Sequence, residues 1–586
     1  MTPVSPPSWK RWRRPALFLL AAGIAVAPMM LRGASWSGDF SFHLVSWMDA
    51  QRSMALGVLD PHWASSPNLG AGEPRFMFYP PLTWVAGALL GLLMPWSAAP
   101  VAFVFVLLAA TGMAVWRLAR ENLDEGPATL AGYAAIFFGY ALFAAYKRSA
   151  YAELSGGFWI PLLLLLLLRR RNPDGGLWRS ALDGSAAPLA LVLAGAWLSN
   201  GPVGLMGCYL MAAVAGAAGM LERSWAPVVR AAVAGAVGLG LTAVYLLPAA
   251  WEQRWASLRY AVTESRYRVE NSWMFARHAD RNLFAHDVLL RQVSWVGAAM
   301  LGLTLASVVI AWKRGTLPGG RAWWIPLALI PCAVLFLQLP VSEFVWKIAP
   351  RLEWLQFPWR WLLVVEAPMG IFFAAAVWPR GPRWRWAAIA VCAAAFVGIS
   401  AAAGHSWWMD SQSHEARIVD DFYTGMGEGG VHEYAPPGVH GDVIDLRLPN
   451  TCLLEREPDA SGHPAPSFAP NHYFESNRCT GHFDTAFYAP EHKRIQGIAD
   501  RAGYLVVRLR SYPAWRVTLN GNPIAAAAEH DYGLIAVPVE AGKVEVAIDW
   551  ITTGDVIAGR WISVAFLVLL TVVWQLERKL RRAPLS

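Results

Sequence analysis

Long apolar runs recur from one end of this chain to the other, and short clusters of Lys and Arg punctuate them. About twenty consecutive apolar residues cross the hydrocarbon core of a bilayer, so the pattern makes a bundle of membrane-spanning helices the main architecture. The bulk numbers agree: 56% of residues are hydrophobic and only 15% charged, and 32 are tryptophans, a residue that gathers at membrane interfaces. The net charge of +8 does not point to nucleic acid, because the excess basic residues sit in short clusters between apolar runs. Such clusters set orientation, with the basic side in the cytoplasm.

The first run, "SWKRWRRPALFLLAAGIAVAPMM", has the basic start and apolar core of a signal peptide. It ends in Pro28, Met29, Met30 and Leu31 without a small-x-small cleavage site, so it reads as a retained first span with a cytoplasmic N-terminus. Basic clusters at Lys10–Arg14, Arg117, Arg169–Arg171, Arg223, Lys313, Arg380 and Arg578–Arg582 mark cytoplasmic loops. Between them lie about twelve spans, near 15–33, 99–116, 128–146, 154–168, 186–200, 203–221, 229–249, 292–312, 322–339, 360–378, 386–403 and 558–576. Both termini then face the cytoplasm. The run 81–95 breaks this parity. It is short of the length a crossing needs and is bracketed by Pro80, Pro81 and Pro95, so it reads as a helix that dips into the outer face, with a tilted true span as the alternative.

Three units follow: a multi-span membrane core, 1–403, with a first outer loop at 34–98; a β-rich outer domain, 404–556; and a final span with a basic tail, 557–586. The outer loop opens with helical periodicity. Phe40, Leu44, Trp47 and Met48 fall on one side and Asp39, His43 and Ser46 on another, with Ser37 as N-cap, as in an amphipathic helix lying on the membrane surface. In the outer domain, "YLVVRLRSYPAWRVTLNG" and "LIAVPVEAGKVEVAIDWI" alternate at period two, with turns expected at Asn520-Gly521 and Ala541-Gly542, as in a β-sandwich. Cys208, Cys332 and Cys392 lie in apolar runs. Cys452 and Cys479 lie in the polar domain, either as a disulfide or as two free thiols.

No phosphate-binding Gly loop, H-E-x-x-H or C-x-x-C is present, and the scattered His405, His463, His472 and His482 read as surface residues. The acids of the outer loops are the better candidates. Asp39 and Glu153 each stand at the outer end of a span, where a carboxylate accepts a proton from an acceptor hydroxyl or holds a divalent metal such as Mg or Mn. Lys147, Arg148 and Arg360 stand where cations bind a lipid phosphate. His43, Arg75 and Tyr79 complete the substrate-binding candidates.

The order of these parts resembles the GT-C superfamily of integral-membrane glycosyltransferases. One span leads to an outer loop that opens with Asp39 and closes in "FYPPLTW", and Glu153 comes two spans later. The resemblance implies a catalytic acid at Asp39, a juxtamembrane helix starting at Pro80-Pro81-Leu82, an assisting acid at Glu153 and a polyprenyl-phosphate sugar as donor. The stretches "GDFSFHL", "GAGEPRFMFYPPL", "RSAYAE", "YLLPAAWE", "LQFPWRWL", "EYAPPGV" and "SYPAWRVTLNG" are similar to bacterial multi-span proteins of the YfhO type and to a group labelled "6-pyruvoyl-tetrahydropterin synthase-related". No histidine cluster of a pterin synthase accompanies that label. Phe40 stands beside Asp39 where better-studied GT-C enzymes pair two acids, which leaves metal dependence open. The expectation is an all-α polytopic membrane protein with a C-terminal β-sandwich-like outer domain. It transfers sugar from a lipid-linked donor to an unknown acceptor, among membrane lipids and without nucleic acid. The alternatives are a flippase for lipid-linked sugars, for which Glu366 is the main ionisable residue within a span, and a non-catalytic envelope assembly factor.

Overall fold

A computed structural model of the chain describes residues 9–169, 176–410, 412–439, 449–455, 482–528 and 532–582. Among them are nine helices long and apolar enough to cross a membrane, and two bent pairs that bring the number to eleven. The bends are 68° between Ala226–Leu241 and Ala243–Trp255, and 97° between Arg321–Leu337 and Pro340–Ile348, where Pro340 cannot continue the first helix. The twelfth expected span is the helix Ala186–Ser199, only 14 residues long. The protein is therefore a multi-pass membrane protein.

Basic side chains gather at one end of the bundle. Arg14 and Arg120 both pair with Glu125, and Arg117 and Arg169 both pair with Glu121. The opposite end carries the loops that build the candidate site. The span Glu125–Arg148 that leads there is not one continuous α-helix. It breaks after Phe137 at Gly139, whose φ of 86° suits glycine, and closes with a π-helical turn at Ala144–Arg148. Glu366, buried in the helix Leu362–Val377, faces the Ala141 backbone just past this break.

The first outer loop differs from the surface helix expected of it. The helix Phe40–Ala55 starts after Asp39, not Ser37, and ten of its 16 residues are buried. It is enclosed because the helix Pro81–Leu93 packs along it: a Cβ on Gly87 would meet the Trp47 ring at 2.1 Å. That second helix has 13 residues and reaches about 20 Å, short of the roughly 30 Å hydrocarbon core.

Nine strands are described in the polar domain: β1 (Thr451–Glu455), β2 (His482–Ala489), β3 (His492–Ala499), β4 (Gly503–Arg510), β5 (Trp515–Leu519), β6 (Asn522–Ile524), β7 (Ala527–Ala528), β8 (Leu534–Val539) and β9 (Gly542–Trp550). They form two antiparallel sheets, β1-β4-β8-β7 and β2-β3-β9-β5-β6, around an aliphatic core that includes Leu505, Val537 and Ile548. Asn520 and Gly521, with φ of 48° and 82°, make the tight turn between β5 and β6. Ala541-Gly542 does not close a hairpin: β8 and β9 belong to different sheets, and the two residues between them carry the chain across the sandwich. Cys452 is disulfide-bonded and Cys208, Cys332 and Cys392 are free thiols, while Cys479 lies outside the described residues.

The sandwich is seated on the first outer loop. Trp63 packs against Tyr512, Trp515 and Trp550 at ring-centroid distances of 6.0, 5.3 and 5.7 Å. The Arg510 amide donates to the Ala71 carbonyl at 3.0 Å, and the Tyr512 hydroxyl donates to Glu252 at 2.5 Å.

Candidate active site

Serines and one glycine lace the segment 35–39 to the segment 146–149. Ser35 Oγ donates to the Tyr146 carbonyl at 2.6 Å, and Ser149 Oγ donates back to the Ser35 carbonyl at 2.8 Å. Ser37, expected as a helix cap, instead reaches the Tyr146 carbonyl at 3.3 Å and the Ser149 hydroxyl at 3.2 Å. The Asp39 amide donates to the Arg148 carbonyl at 2.9 Å. Gly38 makes this approach possible. Its φ is 46°, and a Cβ there would stand 2.2 Å from the Arg148 carbonyl oxygen. The first and second outer loops thus form one unit.

Within that unit Glu153 is fully engaged. Tyr140 donates to its Oε1 at 2.5 Å, Arg148 Nη1 to its Oε2 at 2.9 Å, and Arg360 Nε lies 3.3 Å from Oε2. Arg148 also donates to the Tyr140 hydroxyl at 2.5 Å. Arg360 is fixed further by the Leu355 carbonyl and Gln356 Oε1, both at 3.0 Å. A buried carboxylate bound by two guanidiniums and a phenol is a rigid mount for its cations.

Asp39 is different. Its side chain is open to solvent and makes no capping bond to its own helix, yet protein surrounds it. Removal from bulk water pushes its carboxyl above the ordinary value of 3.8; Arg148 and Arg360 pull it down, and Glu153 pushes it up. Tyr79 lies in the same field. Burial raises its phenol, and Asp39, Arg360 and Glu153 all act on it. Asp39, Tyr79, Arg148, Glu153 and Arg360 therefore share one electrostatic neighbourhood. Lys147 is half-buried beside them and makes no ion pair among the described residues.

His43 and Arg75 turn inward. His43 is 1% exposed, stacks on Tyr151 at 5.3 Å and leaves Nε2 without a hydrogen-bond partner among the described residues. Burial lowers its pKa to about 3, with Arg75 adding to the effect, so the ring is neutral. Arg75 is 2% exposed and holds Glu73 at 2.6 Å, Ser46 at 3.0 Å and the Phe42 carbonyl at 3.3 Å. Glu73 in turn accepts from Asn68 at 3.1 Å and the Val431 amide at 3.0 Å, so Arg75 organises the loop.

Glu433 and Tyr267 join the neighbourhood unannounced. Burial lifts the Glu433 carboxyl to about 7, with Glu73 and Asp39 pushing the same way. Tyr267 is raised to about 12, chiefly by burial, and also feels Glu433 and Asp39. "EYAPPGV" contains Glu433, but its position in sequence gives no sign that it returns to Asp39. Tyr140 is hidden likewise, as an aromatic residue within an apolar run.

For a divalent metal, the donors fit poorly. Glu153 is saturated by arginine and tyrosine, Asp39 faces two guanidiniums, and no three His, Cys, Asp or Glu side chains cluster among the described residues. Next to the site, an apolar groove of about 280 Å³ runs between the helices Gly201–Glu222 and Arg321–Leu337. Leu210, Val214, Ile330 and Val334 line it, and Trp361, the neighbour of Arg360, lies at its wall.

No protein-family model matches the chain, and no curated protein does. Solved structures that resemble it include the arabinofuranosyltransferase AftD from Mycobacteria, 11% identical, with 92% of this chain and 57% of that one covered at a TM-score of 0.43. An oligosaccharyltransferase of Archaeoglobus fulgidus, in complex with Zn and sulfate, is 16% identical over 67% of this chain and 53% of that one, with a TM-score of 0.34. ArnT from Cupriavidus metallidurans, bound to undecaprenyl phosphate, is 13% identical over 63% of this chain and 78% of that one, with a TM-score of 0.28. The chain thus spans little more than half the length of the first two.

Proposed function

We propose that the protein transfers a sugar from a polyprenyl-phosphate donor to a hydroxyl acceptor at the outer face of a bacterial inner membrane, with both termini in the cytoplasm. The observation that carries this reading is the contrast between two acids in one neighbourhood. Glu153 is consumed by Arg148, Arg360 and Tyr140, while Asp39 stays open beside them with a raised pKa. A raised carboxyl nearer the working pH suits a general base.

In the proposed reaction the acceptor oxygen attacks C1 of the sugar, and its proton passes to Asp39. The bond from C1 to the phosphate oxygen breaks, and polyprenyl phosphate leaves with the electron pair. Arg148 and Arg360, steadied by Glu153, stabilise the charge that grows on that phosphate, with Lys147 supplying a further cation. Two guanidiniums neutralise a phosphate without a divalent ion, so no step is routed through a metal. Tyr79 orients the sugar, Glu433 stands ready beside the acceptor, and the groove beside Trp361 takes the isoprenoid. His43 and Arg75 shape the loop and do not touch substrate. Glu366, on which a transport reading would rest, is 1% exposed in the helix Leu362–Val377.

The test uses membrane vesicles given radiolabelled polyprenyl-phosphate sugar. Asp39→Asn, expressed to the same level, abolishes labelled product. Retained labelling overturns the role of Asp39.

A further inference from the structure

A further cavity, of about 260 Å³, has Tyr267 in its wall. Tyr267 also feels Asp39, and its ring stands 6.1 Å from Phe357, over which the Arg360 guanidinium lies at 5.1 Å. A short run of rings thus joins the cavity to the candidate active site. Three segments far apart in the chain build the wall: residues 262–270, the short helix Glu343–Ile348 and the turn Leu352–Leu355.

Its charges come in pairs. Arg268 lies 3.6 Å from Glu270, and Lys347 pairs with Glu343 one helical turn away. Glu353 adds a third carboxylate to the wall. These acids do not gather into a group that could hold a metal ion among the described residues. Paired charges set donors and acceptors side by side, and an ionic ligand would have to break one pair to make another. A neutral polyol needs no such exchange, because adjacent hydroxyls donate to a carboxylate and accept from a guanidinium or ammonium. Rings supply the apolar part. Trp346 is 3% exposed, with its indole N–H donating to the Leu337 carbonyl at 3.3 Å, and Tyr267 is half-buried. The C–H face of a sugar packs on such surfaces. The volume falls just below the range of about 300–1,000 Å³ usual for drug-sized ligands, as a single sugar unit requires.

We propose that this cavity binds a neutral sugar unit. Its junction with the candidate active site through Tyr267 and Phe357 makes that unit part of the acceptor, which is then a glycan held here while a neighbouring unit presents its hydroxyl to Asp39. Only this second assignment rests on the transfer reading.

The test is a saturation-transfer NMR titration of the detergent-purified full chain with glucose, galactose, N-acetylglucosamine and arabinose, and with glucuronate and glucosamine as charged counterparts. At least one neutral sugar binds, more tightly than either charged one. Arg268→Ala and Glu353→Ala each weaken that binding at least about tenfold, as loss of a charge-assisted bond requires. Both residues are exposed, and an unchanged Tm shows that the variants are folded. Binding by none of the neutral sugars overturns the proposal, and binding that either variant leaves unchanged overturns the site. A charged sugar binding as tightly as the best neutral one overturns recognition of a neutral unit. Asp39→Asn retains the binding, so failure of transfer and failure of this site are read separately.

Discussion

Asp39 and Glu153 are both carboxylates at the ends of spans, yet their surroundings are opposite. Glu153 accepts from Tyr140 and is bracketed by two arginines, and Asp39 has none of these bonds. For Asp39 the sign of the pH effect follows directly. Its pKa is raised, and the base form exists only above that pKa, so the transfer rate falls with acid at a midpoint above 3.8. A pH–rate profile on labelled donor checks this midpoint. Tyr140→Phe removes the phenol shared by Glu153 and Arg148. It lowers kcat by roughly tenfold while leaving KM nearly unchanged, because it frees the arginines from their mount without removing them. Steady-state kinetics separate the two constants. The acids at 39 and 153 were legible from their places beside apolar runs. The closure of His43 and Arg75 was not, because a spacing of four residues shows a shared face but not what covers it.

The decisive element is the seam between the first two outer loops. The segment 35–39 has no regular structure and 146–149 is the end of a π-helical turn, and each supplies hydrogen bonds that the other lacks. Gly38→Ala forces a side chain against the Arg148 carbonyl at a positive φ. It costs about 1–3 kcal/mol and shifts Asp39 from the arginines. The expected result is a lower Tm and lost transfer, measured by thermal unfolding in detergent and by the vesicle assay. The helix Phe40–Ala55 carries the same lesson. Its periodicity was legible, but its burial depended on the Pro81–Leu93 helix folding back over it.

At the scale of the molecule, Trp63 ties the outer domain to the membrane core. It is 1% exposed in a ring of Tyr512, Trp515 and Trp550. Trp63→Ala removes about 3–5 kcal/mol of packing, the range for large aromatic truncations. The domain then loosens, and limited proteolysis cuts between 404 and 450 faster than in wild type. Spans stay intact, because their stability comes from helix packing elsewhere. Eleven of the twelve expected spans were legible, since hydrocarbon demands length and composition that a sequence displays directly, while the helix Ala186–Ser199 falls short of that length. The bends at Thr242 and Leu339 and the sheet crossing before β9 were not, because they depend on which neighbour each half meets.

The amino-acid order by itself determined which segments are apolar enough to cross a membrane, which segments alternate as strands, and which acids and bases stand at the ends of apolar runs. These are local properties of hydropathy, periodicity and charge. Only the tertiary structure decided that Asp39 stays open while Glu153 is locked, that Glu433 returns from nearly four hundred residues away, and that three separate segments line one cavity beside Tyr267. Each depends on distances across the fold, and the field at a carboxylate comes from whatever charges lie nearby in space, wherever they lie along the chain.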